Sequence, residues 1–130
     1  MIQPGQGQIL IVDDEPSLLK MMSLYLTRLG YTVVTASSVA DGIRAAGAQP
    51  GAFAVAVLDA TMDGLSLDDL VEQLLLLAPR LCVIAASGYP VDMGPLESAA
   101  PGRVMFLHKP FSPEMLASAV RRMLATQEAV

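Results

Sequence analysis

Gln8-Ile-Leu-Ile-Val12 is a five-residue run rich in branched apolar side chains, and Asp13-Asp-Glu-Pro16 follows it without a spacer. Such a run suits a strand buried on both faces, as strands of parallel sheets are. Pro16 suits the first position of a helix; Leu18, Met22, Tyr25 and Leu29 then share one face, and Gly30 closes it. The unit is strand, turn, helix, and it recurs down the chain. Residues 54–58, 81–85 and 104–107 read as further strands of the same two-faced kind, while 31–35 alternates with polar residues, as a strand nearer a sheet edge does. Between them, 39–48 is a helix opened by Ser38 and closed before Pro50. Leu67, Leu70, Val71 and Leu74 mark another, ending near Pro79, and Ser112-Pro113 opens a last one carrying Leu116, Val120 and Leu124. Residues 91–100 make the poorest helix, because Gly94 and Pro95 interrupt it. Five strands alternating with five helical segments predict an α/β domain, a doubly wound five-stranded parallel sheet with helices on both faces.

Composition narrows the class without naming a function. A chain of 130 residues, 53% hydrophobic and 16% charged, describes one globular domain and argues against disorder. No apolar run approaches the roughly 20 residues a bilayer span needs, so no membrane role is expected. The opening residues lack the basic start and apolar core of a secretory signal, and the lone Cys82 cannot form an internal disulfide, so the expected location is cytoplasmic. Net charge −5 speaks against direct nucleic-acid binding. Residues 1–7, with Gly5-Gln6-Gly7, read as a flexible lead-in, 8–126 as the domain and 127–130 as a tail.

In a parallel sheet the residues just after each strand gather at one edge. Those positions hold Asp13, Asp14 and Glu15 after the first strand, Asp59 after the third, Ser87 after the fourth and Lys109 after the fifth. Singly, each has an ordinary explanation. The acids at 13–15 could cap a helix, Asp59 and Lys109 could form a surface ion pair, and Ser87-Gly88 could be a turn. Together they are harder to dismiss, because carboxylates about 4 Å apart repel by roughly 1 to 4 kcal/mol per pair, depending on the local dielectric. One lysine offsets only part of that. A hard divalent cation such as Mg2+ would offset the rest, and a carboxylate beside a cation, a lysine and a hydroxyl is equipped for phosphoryl transfer.

Val12-Asp-Asp-Glu-Pro16, Leu58-Asp59 with Met62 and Gly64 behind it, Ala86-Ser87-Gly88 and Phe106-Leu-His-Lys-Pro-Phe111 resemble the signature of response-regulator receiver domains, in family order and over nearly the whole chain. The resemblance implies a flavodoxin-like strand order 2-1-3-4-5. It also implies a two-component phosphorelay switch, not an enzyme, in which Asp59 accepts a phosphoryl group from a histidine kinase or histidine phosphotransfer protein. Asp13, Asp14, Asp59 and the carbonyl of Thr61 would hold Mg2+, with Mn2+ as a substitute. Lys109 would contact a phosphoryl oxygen, Ser87 would move toward it, and Phe106 would turn inward as the switch aromatic. The Lys109-Pro110 bond is expected to be cis, and an unknown downstream protein would receive the output. Asp63 stands where relatives often have proline, and Leu67 where a glycine is usual. Thr61 and Tyr89 occupy positions where side chains influence phosphate lifetime.

The alternatives are a receiver segment of a hybrid histidine kinase and a degenerate receiver that binds partners without phosphorylation. A flavin-binding electron carrier would need a glycine- and hydroxyl-rich loop where Asp-Asp-Glu-Pro stands. A metal-dependent phosphatase would want a second acid two residues after Asp59, where Thr61 stands. His108, the single histidine, reads as a strand-end surface residue, and Cys82 as a small buried hydrophobe. Leu24 falls with Lys20 and Arg28 on the outward side of the first helix, together with Met21 away from its buried centre, and is a candidate kinase-docking position.

Overall fold

A computed structural model describes residues 7–128. Along the chain β1 (Gln8–Val12), α1 (Pro16–Arg28), β2 (Thr32–Ala36), α2 (Val39–Ala48), β3 (Phe53–Asp59), α3 (Leu67–Leu77), β4 (Cys82–Ser87), α4 (Gly94–Ala99), β5 (Val104–His108) and α5 (Pro113–Glu128) alternate without exception. The strands form one parallel sheet in the order β2-β1-β3-β4-β5. Of the expected lead-in 1–7, residues 1–6 lie outside the described residues, as do residues 129–130 of the expected tail 127–130, and α5 ends at Glu128.

Burial explains the strand sequences. Every residue of β3 and β4 is buried, which is why their runs show no polar alternation. β2 alternates because it is an edge strand. β5 corrects the expectation of a strand buried on both faces: it forms the opposite edge, so most of it is only half-covered. Ile9, Ile11, Val55, Val57 and Ile84 face α1 and α5, while Leu10, Leu58, Val83 and Ala85 face α2, α3 and α4.

Local signals set the helix ends. Pro16 opens α1, and Gly30, at φ +99°, takes the left-handed conformation that follows it. Ser38 caps α2 by accepting from the Asp41 amide, and Ser112 accepts from the Met115 amide at the head of α5. Two expectations are corrected. The buried face of α1 is Met22 and Leu26 with Leu18 and Leu19 beside them, whereas Leu29 is exposed and Met21 packs partly against the core. Gly94 and Pro95 do not interrupt α4; they begin it, and the helix is short because the segment before them stays irregular.

Candidate functional site

The main-chain ladder continues past the strand ends and fixes the backbone of the residues found there. The Asp13 amide donates to the Ala36 carbonyl at 3.1 Å, Ala60 to Ala86 at 2.9 Å, and Lys109 to Ser87 at 2.9 Å. A second, local device aims the side chains. Asp13 Oδ1 accepts from the Glu15 amide at 2.9 Å, Asp59 Oδ1 from the Thr61 amide at 3.0 Å, and Ser87 Oγ from the Tyr89 amide at 3.0 Å. Each is a short polar side chain bonding the backbone two residues on, the turn that Asp and Ser make readily. The helix-cap explanation of 13–15 fails here, because Glu15 stands at the N-cap of α1 without a side-chain bond to it.

These turns bring the groups together. Lys109 Nζ donates to Asp13 Oδ2 at 3.0 Å and lies 3.6 Å from Asp59 Oδ2. Carboxylate oxygens of Asp13, Asp14 and Asp59 all lie within 4.8 Å of one another. Asp13, Asp59 and Ser87 are the buried polar side chains among the described residues, and all three stand at this one edge of the sheet. Burying carboxylates is unfavourable unless they are paired, so the cluster is a local liability that function explains better than stability does. Burial disfavours the Lys109 ammonium, but Asp13 and then Asp59 outweigh it and hold its pKa above the ordinary lysine value. One ammonium still faces three carboxylates. Hard oxygen donors this close suit a small divalent cation, and Asp14, the exposed member, leaves the cluster open to solvent.

The remaining candidates are placed as follows. Thr61 is exposed; besides its amide, its hydroxyl donates to Asp59 Oδ1 at 2.9 Å, a contact the sequence reading missed although the Asp-x-Thr spacing signals it. Ser87 closes β4 and pairs in register with His108 on β5. Phe106 is half-buried, its ring 6.1 Å from that of exposed His108 at 80° between planes. The Lys109-Pro110 bond is cis. Asp63 and Tyr89 are exposed beside the site, and Cys82 is buried at the start of β4, where its thiol donates to the Met123 carbonyl at 3.4 Å.

Comparison with known proteins gives one consistent result. The response regulator receiver domain family matches residues 9–121. The transcriptional regulatory protein GlrR of Escherichia coli is 31% identical over 88% of this chain, which spans 25% of that protein. The sensor kinase CckA of Brucella abortus is 30% identical over 95% of this chain, which spans 13% of its length. Among solved structures, the CheY-like response regulator receiver domain protein of Methanospirillum hungatei superimposes with a TM-score of 0.82 at 25% identity, covering 95% of this chain and 98% of that one. No helix among the described residues is long and apolar enough to cross a membrane.

Proposed function

The chain belongs to the response regulator receiver domain family, and on that premise we propose that Asp59 is the phosphoryl acceptor of a two-component switch formed by residues 8–126. The observation that carries this reading is the meeting of Asp13, Asp14 and Asp59 within 4.8 Å, with Lys109 bridging two of them. The donor is a phosphohistidine on a histidine kinase or a histidine phosphotransfer protein. A carboxylate oxygen of Asp59 bonds to phosphorus as the phosphorus–nitrogen bond breaks, and the departing imidazole takes up a proton. Lys109, already 3.6 Å from Asp59 Oδ2, pairs with a phosphoryl oxygen. Asp13, Asp14, Asp59 and the Thr61 carbonyl would hold Mg2+, which supplies charge neutralisation for the transferring oxygens. Thr61 keeps Asp59 oriented through the two bonds to Oδ1.

The output is a shift between two conformers rather than turnover of a substrate. Ser87 exchanges its bond from the Tyr89 amide for one to the phosphoryl group, its loop draws inward, and Phe106 turns into the space released. A protein partner reads the altered surface. Likeness to both a transcriptional regulator and a sensor kinase supports two settings for this module, a response regulator and a receiver segment of a hybrid histidine kinase.

Incubation with acetyl phosphate, read by intact mass, tests the chemistry. The expected product is one phosphoryl group, stable in acid and labile in base, dependent on Mg2+ and absent in Asp59→Asn. Equal modification of Asp59→Asn would move the acceptor elsewhere and refute the assignment.

A further inference from the structure

We propose that His108 is a positioning residue for Phe106, holding its ring in the half-buried orientation and so setting how readily the site takes up its phosphoryl group. The inference rests on the reading of Phe106 as the moving aromatic and names the contact that restrains it. Residues 106 and 108 of β5 are two apart and therefore share one face of the strand. Their rings meet edge to face, 6.1 Å apart and 80° between planes. His108 is exposed, so its own burial does not explain its place; among the described residues its ring contact is with Phe106. It also stands beside the strand end that carries Ser87. His108 lies in register with Ser87, and the next amide, that of Lys109, bonds the Ser87 carbonyl at 2.9 Å.

Phe106 cannot turn inward without giving up this edge-to-face contact. Such pairs favour the paired arrangement by a factor of about two to ten. The imidazole therefore weights the conformer in which Phe106 stays out, against the one in which Ser87 has moved. A competing route runs through Lys109, the neighbour of His108, and a double-mutant cycle with Phe106 separates the two.

The test uses protein carrying 13C-labelled phenylalanine, Mg2+ and beryllofluoride, a tetrahedral mimic of the phosphoryl group on an aspartate. In the unaltered protein the Phe106 ring signal shifts on loading. In His108→Ala the unloaded signal sits part of the way toward the loaded position, and beryllofluoride binds about two- to tenfold tighter. His108→Phe, which restores an aromatic pair, returns both readouts toward those of the unaltered protein. In a Phe106→Leu background, His108→Ala changes the affinity less than about twofold. An unchanged Phe106 signal and affinity in His108→Ala, or an undiminished gain in the Phe106→Leu background, overturns the proposal while leaving Phe106 as the moving aromatic. A Phe106 signal that does not respond to loading in the unaltered protein overturns that reading of Phe106, and this one with it.

Discussion

Gly42 lies within α2, and a Cβ placed there would meet Val12 Cγ2 at 2.8 Å and Cγ1 at 3.4 Å. Alanine is ordinarily the better helix residue by about 1 kcal/mol, so exposed positions gain from this substitution. Here the neighbour is a branched side chain, 1% exposed, in the core layer with Val39 and Leu58, where a stiff χ1 and close packing resist its retreat. Overpacking of a tight core costs about 1 to 3 kcal/mol. The net expectation for Gly42→Ala is a loss of about 1 kcal/mol, read as a lower urea midpoint with an unchanged slope. Gly47 in the same helix supplies the control, since a Cβ there meets nothing within 4 Å. Gly47→Ala should stabilise by about 0.5 to 1 kcal/mol. In a Val12→Ala background the clash is gone, and Gly42→Ala should turn neutral or stabilising. If Gly42→Ala stabilises the unaltered protein as much as Gly47→Ala does, the close approach of α2 to β1 is wrong.

Four other outcomes can be measured. Mg2+ should raise the melting temperature in a thermal shift assay, whereas Asp14→Asn should raise it without the ion and abolish the response; a Mg2+ effect that survives in the variant would exclude Asp14 as a ligand. Because Lys109 has its pKa raised in the folded state, its stabilising contribution is complete below the unfolded value of about 10.4 and disappears as pH climbs through the folded value. The stability gap between the unaltered protein and Lys109→Met in urea titrations should therefore narrow above about pH 10.4, and a constant gap would show that the pairing is not the source. Burial raises the pKa of the Cys82 thiol despite the opposing pull of Arg103, so iodoacetamide at neutral pH should label it only after unfolding; rapid native labelling would contradict its position in the core. Leu24, 48% exposed beside a groove lined by Pro16, Leu19, Lys20, Ser23 and Thr35, should matter to a kinase and not to a small donor. Leu24→Asp is expected to slow transfer from the cognate kinase several-fold with acetyl phosphate uptake unchanged, and equal transfer would remove α1 as the docking face.

The sheet was legible because a strand covered on both faces needs no polar residues. The runs at β1, β3 and β4 announce themselves for that reason, and the placement of Asp59 and Ser87 at strand ends follows from them. β5 looked equally apolar but is an edge strand, because composition records what a residue prefers and not how many neighbours it receives. The same limit applies to Leu29, which continues the helical spacing of α1 beyond the point where anything covers it. Gly94 and Pro95 misled in the opposite sense, since both residues suit a helix start as well as a break and only the irregular stretch before them decides which. The contacts of Thr61 with Asp59 and of Phe106 with His108 depend on side-chain direction; spacing permits them without requiring them.

The site shows how little local chemistry is needed once the topology has done the gathering. Parallel strands deliver Asp13, Asp59, Ser87 and Lys109 to one edge whatever their side chains, and the continued ladder holds their backbones there. What distinguishes these positions is that a short polar side chain at a strand end can bond the amide two residues on, spending one acceptor on its own orientation. Asp13 and Asp59 each have a second carboxylate oxygen left over, and in both it is Oδ2 that faces Lys109, at 3.0 and 3.6 Å. Each carboxylate is thus divided into an oxygen that fixes geometry and an oxygen that meets positive charge. Ser87 is held by one such bond through its single oxygen, which accepts from the Tyr89 amide, while its O–H remains able to donate. One restraint against two is a physical reason for the carboxylates to form the fixed frame and for the hydroxyl to be the group proposed to move.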